Sequence, residues 1–496
     1  MFGPGRSVRV FLLILLMLIP GFRALGAPAD PQGGQASRAG ANQAESEDMK
    51  KRIRELERKV RELEAALRAL QSTPAGGEAA RVAELERKLD LLTQEIERLR
   101  LGEAASPSPG PTVRGLGPAA SKVYQVKQGV SIGGYGEMVY QNFAARRDDG
   151  TVSGLTDTLD LLRGVLYFGY KWNDRFLVNS ELEFEHATTG EGDEERGEVS
   201  LEFAYLDFLF RKGLNARAGL VLVPVGLVNE LHEPPVFYGV LRPAVEQIIL
   251  PTTWRENGAG LFGDLGKFSY RLYLLAGLDA AGFSSDQGIR EGRQGGSQSK
   301  AEDLALAGRL DLVAVPGLLA GAAIYSGDSG QGQIAQGARV TLWDAHAQYQ
   351  WRGLDLRGLV VSGSIDDVEA IDALLQIPAG SDPTFCAKSG GPDPVCFDSV
   401  GEKFGGWYVQ AAWDVLSKRR GGTASLSPFA RYEEFDPQER VPEGFLKDPA
   451  QDRRLLTAGL VWKPIPQVAV KVDFQNSWNR GGTGVDQVNV GLGWLF

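Results

Sequence analysis

Two hydrophobic periods divide the chain. Met49, Ile53, Leu56, Val60, Leu63, Leu67 and Leu70 are spaced by alternating steps of four and three, and Val82, Leu85, Leu89, Leu92, Ile96 and Leu99 resume the pattern. With Lys, Arg and Glu between them, these positions form a heptad seam and predict a coiled coil. "STPAGG" (72–77) interrupts the seam, and the near copies "ELERKV" (55–60) and "ELERKL" (84–89) are out of heptad phase. Each segment is about three heptads long, too short for a stable lone helix in water. The seam therefore needs a partner, either as an antiparallel hairpin or as a parallel oligomer, with a parallel trimer preferred.

From Gly129 onward the period is two. In "RFLVNSELEFEHA" (175–187), Phe176, Val178, Leu182 and Phe184 alternate with Asn179, Glu181, Glu183 and Glu185. One such strand fits a soluble sandwich or a membrane barrel equally well. The connections separate the two. Strands are expected near 130–143, 159–171, 175–187, 199–211, 213–223, 257–264, 267–279, 304–314, 317–327, 337–350, 353–364, 404–415, 424–434, 452–463, 466–478 and 486–496. Short links such as "WND", "DLGK", "VPG", "RG" and "KPIP" alternate with long ones. A Greek-key sandwich has no cause to alternate in this way. A transmembrane barrel does, with tight turns on one side and long loops on the other. Trp172, Trp351, Trp413 and Trp462 sit at or beside the short turns, where an interfacial aromatic girdle belongs. The fold class is thus an all-β transmembrane barrel of about sixteen antiparallel strands, preceded by an α-helical coiled coil.

The closing stretch "VNVGLGWLF" fits this scheme. Val488, Val490, Leu492, Trp494 and Phe496 should face lipid, and Asn489, Gly491 and Gly493 the lumen. Its pairing with the strand near 130 would leave no open edge.

The N-terminus adds the compartment. Arg6 and Arg9 precede the apolar run Val10–Ile19, then Pro20 and small residues, the pattern of a secretory signal peptide. The organisation is then a signal peptide (1–29), a flexible leader (30–44), a periplasmic coiled coil (45–100), a Pro/Gly-rich linker (101–127) and an outer-membrane barrel (128–496). Residues 1–127 hold 20 basic and 15 acidic residues, and the remainder 33 and 48. That acidic balance argues against a nucleic-acid binder. Cys386 and Cys396, close together in an exported chain, suggest a disulfide stapling one loop. A zinc site is the weaker reading, because no second pair of Cys or His lies nearby and four ligands are normally needed, and no cofactor is expected.

Residues 217–264 read "RAGLVLVPVGLVNELHEPPVFYGVLRPAVEQIILPTTWRENGAGLFGD". The strand entering "VPVG", the proline-rich loop with "RP" and "PTTWRENGAGLFG" leading into the next strand resemble the phosphate-selective porin O/P family. The layout of signal peptide, coiled coil, sixteen strands and terminal Phe is similar to that family as well. The resemblance implies a homotrimer in outer-membrane lipid, a third outer loop folded into the lumen (here 224–256), and anion passage along lumen arginines and lysines. It further implies that Phe496 belongs to a signal read by the barrel-assembly machinery.

Alternation nominates Arg163, Arg217, Arg271, Arg309, Arg357, Arg431 and Lys471 as pore-lining, and the inward third loop that the resemblance implies adds Arg242 and Arg255 near the constriction. Glu181, Glu183, Glu185, Asp311, Asp344, Asp355, Glu433 and Asp473 share the same faces. Arg309/Asp311, Asp355/Arg357 and Lys471/Asp473 therefore read first as transverse ion pairs satisfying a polar wall. The expected function is passive diffusion of small hydrophilic solutes or anions, with phosphate as one candidate. The alternative is a structural barrel tethering the envelope through its coiled coil. An enzyme is not expected: His186, His232 and His346 accompany no nucleophile motif such as G-x-S-x-G.

Overall fold

The computed structural model describes residues 115–187, 197–377, 398–417 and 423–496, together with Arg58. The signal peptide, leader, coiled coil and the Cys386–Cys396 disulfide expected above lie outside these residues, Arg58 apart. Sixteen strands form one sheet: β1 (Gly129–Phe143), β2 (Thr158–Lys171), β3 (Phe176–Glu185), β4 (Val199–Arg211), β5 (Leu214–Leu222), β6 (Arg255–Leu265), β7 (Phe268–Ala276) and β8 (Leu304–Leu312). The second half comprises β9 (Leu318–Asp328), β10 (Arg339–Trp351), β11 (Leu354–Ile365), β12 (Lys403–Trp413), β13 (Ser425–Arg440), β14 (Arg453–Ile465), β15 (Val468–Asn479) and β16 (Gln487–Leu495). Each strand pairs with its sequence neighbours, and β1 pairs with β16, so the barrel is closed.

All sixteen expected strands are present. The largest difference is β13, expected to end at 434 but continuing to Arg440. Its last residues, "DPQER", combine charge with Pro437 and read as loop. They stay in the strand because Arg440 still pairs with Lys403 across a bulge.

The short turns follow backbone rules. Arg352 and Gly353 have φ of 50° and 89°, so the two-residue link between β10 and β11 takes both central positions in the left-handed region. That geometry matches the twist of the flanking strands.

The alternation resolves into two different faces. Outside, large apolar side chains such as Phe168, Leu274, Trp343 and Val472 stand uncovered, and Trp172, Trp351, Trp413 and Trp462 are also exposed at the short-turn end. A continuous apolar belt of this kind is a surface for lipid. On β16, Val488 and Val490 point outward while Asn489 is fully buried. Phe496 is part of the seam: its N–H donates to Gly134 O at 2.9 Å, and its carbonyl accepts from Gly134 N at 3.1 Å.

Inside, the wall is covered by two segments. One is the long connection between β5 and β6. The other is residues 115–128, the end of the stretch expected to be linker. It carries the four-residue helix α1 (Lys122–Gln125) and turns into β1 at Gly129, whose φ of +98° suits glycine.

Candidate functional site

The loop between β5 and β6 crosses the lumen. It leaves β5 through Val223 and Val225, both buried. Arg309 donates to Gly226 O, and Gly226 N donates to Asp344 at 3.0 Å. Glu230 pairs with Arg271 at 3.0 Å, and His232 Nε2 lies 3.1 Å from Glu181. The Pro234–Val236 turn packs against β16, β1 and β15. It fits there because β16 carries glycine on its inner face. A Cβ on Gly493 would lie 2.7 Å from Pro234 Cβ, and one on Gly491 would lie 2.9 Å from Val240 Cγ1. The inward Gly491 and Gly493 thus make room for the loop.

Past this turn the wall holds the loop by charge-assisted hydrogen bonds. Arg357 donates to Val236 O at 3.0 Å, Lys471 donates to Gly239 O at 2.8 Å, and Asp473 accepts from Val240 N at 2.6 Å. A helical turn at Val245–Ile249 then packs on β12 and β13. Its Glu246, fully buried, accepts from Leu227 N, Val228 N and Tyr408 Oη at 2.7, 2.6 and 2.7 Å. Ionised acceptors of this kind make shorter and stronger bonds than neutral ones.

The basic residues nominated from the sequence all lie on this interior. Two of the three transverse pairs are present: Arg309–Asp311 at 2.9 Å and Arg357–Asp355 at 3.0 Å. The third is not formed among the contacts seen. Lys471 and Asp473 each turn to the loop backbone instead, because Gly239 and Val240 pass within reach. Arg217 pairs with Asp207 at 2.7 Å, Arg271 with Asp311 at 2.9 Å, and Arg431 with Glu433 at 2.6 Å. Arg163 stands among Glu137, Glu183 and Glu185 at 3.4–3.7 Å. These side chains are largely buried and matched by acids, so they serve first to satisfy the wall. Of the histidines, His346 is held by Asp344 at 2.6 Å and Asp311 at 3.0 Å, and His186 is an exposed partner of Asp160.

Arg242 and Arg255 lie at the two ends of the loop's last turn. Arg242 donates to Thr253 Oγ1 at 3.1 Å, and Arg255 pairs with Glu202 at 2.6 Å. Arg242 Nη2 and Arg255 Nε are buried and make no hydrogen bond among the described residues, as is also true of Arg163 Nε and of Arg431 Nη1 and Nη2. Two arginines not singled out in the sequence join them from the next long connection. Arg290 donates to Thr252 O at 3.1 Å, and Arg293 donates to Pro251 O and Thr253 O at 3.0 and 2.8 Å. Burial lowers the pKa of Arg290, opposed by Glu291, and the nearby cations Arg242 and Arg163 lower it further. Burial and Arg290 bring Arg293 down to about 10. Three arginines thus converge on residues 251–253, and Arg255 lies near enough to Arg293 to lower its pKa beyond what burial does. The signal for the added pair was "REGR" (290–293), a spacing that puts both guanidiniums on one side of a short turn.

The second interior segment, 115–128, docks on the loop and on the wall. Leu116, Ala119, Ala120 and Val123 are buried. Glu233 accepts from Ala119 N at 2.9 Å and Ala120 N at 3.0 Å. Burial pushes Glu233 up to about 7 against those donors. Tyr124 Oη donates to Asp207 at 2.7 Å and accepts from Arg217 at 2.8 Å, and Asn179 donates to Ala120 O at 2.9 Å.

No family model matches the chain. A protein of Aquifex aeolicus (strain VF5), described as uncharacterized, is 36% identical over 403 residues, which cover 81% of this chain and 87% of that protein. The chain belongs to the family of that protein. Among solved structures, a loop-deletion form of the Vibrio cholerae outer membrane protein OmpT aligns with TM-score 0.46 and 9% identity, over 74% of this chain and 99% of that one. The anion-selective porin from Comamonas acidovorans aligns with TM-score 0.44 and 15% identity, over 75% and 100%. The outer membrane channel DcaP of Acinetobacter baumannii aligns with TM-score 0.45 and 13% identity, over 74% and 97%.

Proposed function

We propose that the protein is an outer-membrane channel passing small hydrophilic solutes by diffusion, with a preference for anions set by Arg242, Arg255, Arg290 and Arg293. The observation that carries this reading is the contact of Arg242, Arg290 and Arg293 with residues 251–253, with Arg255 close enough to Arg293 to lower its pKa beyond what burial does. Besides burial, these guanidiniums depress one another's pKa, and an anion among them would relieve that repulsion. The apolar outer belt and closed barrel support the membrane setting. The resemblance at 217–264 supports phosphate among the permeant anions, and the heptad seam supports a homotrimer. Phe496, hydrogen-bonded into the seam, suits recognition by the barrel-assembly machinery.

The test is planar-bilayer conductance across a salt gradient, with and without phosphate. The expected result is a reversal potential on the anion side that moves towards cations in Arg242→Gln with Arg255→Gln. A cation-side potential in the unaltered protein would overturn the anion reading, and no conductance at all the channel reading. Phe496→Ala should lower the yield of assembled barrel without moving the reversal potential.

A further inference from the structure

The segment 115–127 takes no part in setting charge preference, yet it lies inside the barrel against the 224–256 loop. Its seat is shaped for it. A Cβ on Gly169 of β2 would come within 2.6 Å of Val123 Cγ2, and one on Gly133 of β1 within 3.0 Å of Ala119 O. The wall leaves out side chains where the segment lies. On its other side it meets the lumen-crossing loop at Glu233, whose carboxylate takes both the Ala119 and Ala120 N–H groups, and at Glu230, whose Oε2 would lie 3.1 Å from a Cβ on Gly115. Glu233 directly precedes the Pro234–Val236 turn, which rests on β16. The segment therefore braces the same stretch of loop that the inner glycines of β16 accommodate from the far side.

It has fewer side-chain anchors than the loop. The apolar ones are Leu116, two alanines and Val123; the polar ones are Glu233, Asn179 and the Asp207–Arg217 pair, with Lys122 Nζ reaching Ile132 O at 3.4 Å and Lys171 Nζ reaching Val126 O at 3.2 Å. Asp207 and Arg217 keep each other at 2.7 Å without Tyr124. The segment is continuous at one end with β1 and at the other with residues 1–114, so tension or rearrangement upstream acts on it directly.

We propose that residues 115–127 are a releasable strap: docked, they hold the 224–256 loop across the lumen, and undocked, they let that loop move and widen the passage. The inference rests on the channel reading above. It assigns the gate to a backbone segment and one carboxylate, separate from the arginines that set charge preference.

The test uses the full chain with Cys386 and Cys396 replaced by serine. Gly169→Val fills the seat of Val123 and should undock the strap. Trypsin should then cut after Lys122, which is buried when docked, and single-channel conductance should rise severalfold with an unchanged reversal potential. Glu233→Gln, which keeps the shape and weakens the acceptor, should move both readouts the same way by less, and serves where Gly169→Val fails to assemble. Adding Val240→Cys with Gly491→Cys pins the loop to β16. A Cβ on Gly491 lies 3.6 Å from Val240 Cβ, within the range for a disulfide. Oxidised, this variant should return to low conductance even with Gly169→Val, and reduction should raise it. Wild-type conductance from a strap shown by trypsin to be undocked would overturn the proposal while leaving the channel reading intact. So would high conductance from the pinned loop. Silence from every variant and from the parent would overturn both.

Discussion

The loop 224–256 and the strap 115–127 occupy the same lumen but differ in how many charged side chains hold them. Arg271, Arg309, Arg357, Lys471, Asp344 and Asp473 on the wall, and Glu246 within the loop, each meet a backbone group or opposite charge of the loop in a buried setting. The strap is held by small apolar side chains, by the Glu233 carboxylate on two backbone N–H groups, and by the Tyr124 hydroxyl between Asp207 and Arg217. Removing one partner of a buried charged contact costs about 3–5 kcal/mol, so the segment with fewer of them is the less firmly held. The interior is therefore built in two grades of firmness, and the weaker one lies on the segment continuous with the rest of the N-terminal chain.

The sharpest way to break this contrast is Glu246→Ala. It leaves Leu227 N, Val228 N and Tyr408 Oη without their shared acceptor, and no other group among the described residues bonds all three. The loss should be about 3–5 kcal/mol of loop stability, since the two buried backbone donors and the hydroxyl are stranded together. Trp254, fully buried and 4.7 Å from the Tyr325 ring, reports it. Its fluorescence should shift to the red in denaturant well below the unfolding of the barrel. A loop that released only with the barrel would show that the strands, not Glu246, fix it. Next in size is Gly493→Val, which drives a side chain into Pro234. Overpacking of this kind costs about 1–3 kcal/mol. The Trp254 readout should shift less than in Glu246→Ala, and Val488→Ala on the outer face of the same strand should leave it unchanged.

How much of this could be read from the residues divides along the same line. The strands could, because a barrel wall obeys one local rule. Each side chain faces lipid or lumen by parity, and Val488 and Asn489 are sorted correctly by that rule alone. The inward fold of 224–256 came from a family resemblance together with prolines and apolar residues unsuited to an exposed tip. What parity could not supply was the partner of each inward charge. Lys471 and Asp473 looked like each other's counter-ions, but Gly239 and Val240 intervene, more than two hundred residues away in sequence. Arg290 and Arg293 were passed over because they lie in a connection, where parity has nothing to say. The strap was invisible for a different reason. "VRGLGPAASKVYQVK" has the composition of a linker, and its order comes from Glu233, Asn179 and Asp207, none within fifty residues of it. Small residues packed into glycine-lined seats leave no hydrophobic signature.

The mildest change probes the weak grade directly. Tyr124→Phe removes one hydroxyl from between Asp207 and Arg217. Those two stay paired at 2.7 Å, so no charge is stranded. The loss should then sit at the low end for a hydrogen bond to charged groups, about 1.5 kcal/mol. Because it falls on the strap alone, trypsin cleavage after Lys122 should quicken by the corresponding factor, roughly tenfold if opening is rapid relative to cleavage. The steady-state Trp254 signal of the loop should stay put, since the docked strap remains the main species. A shift in both readouts would mean that one hydroxyl is enough to release strap and loop together, and the two grades of firmness would collapse into one. A shift in the first alone would show that the strap opens by itself, which is what a segment able to release without unmaking the barrel has to do.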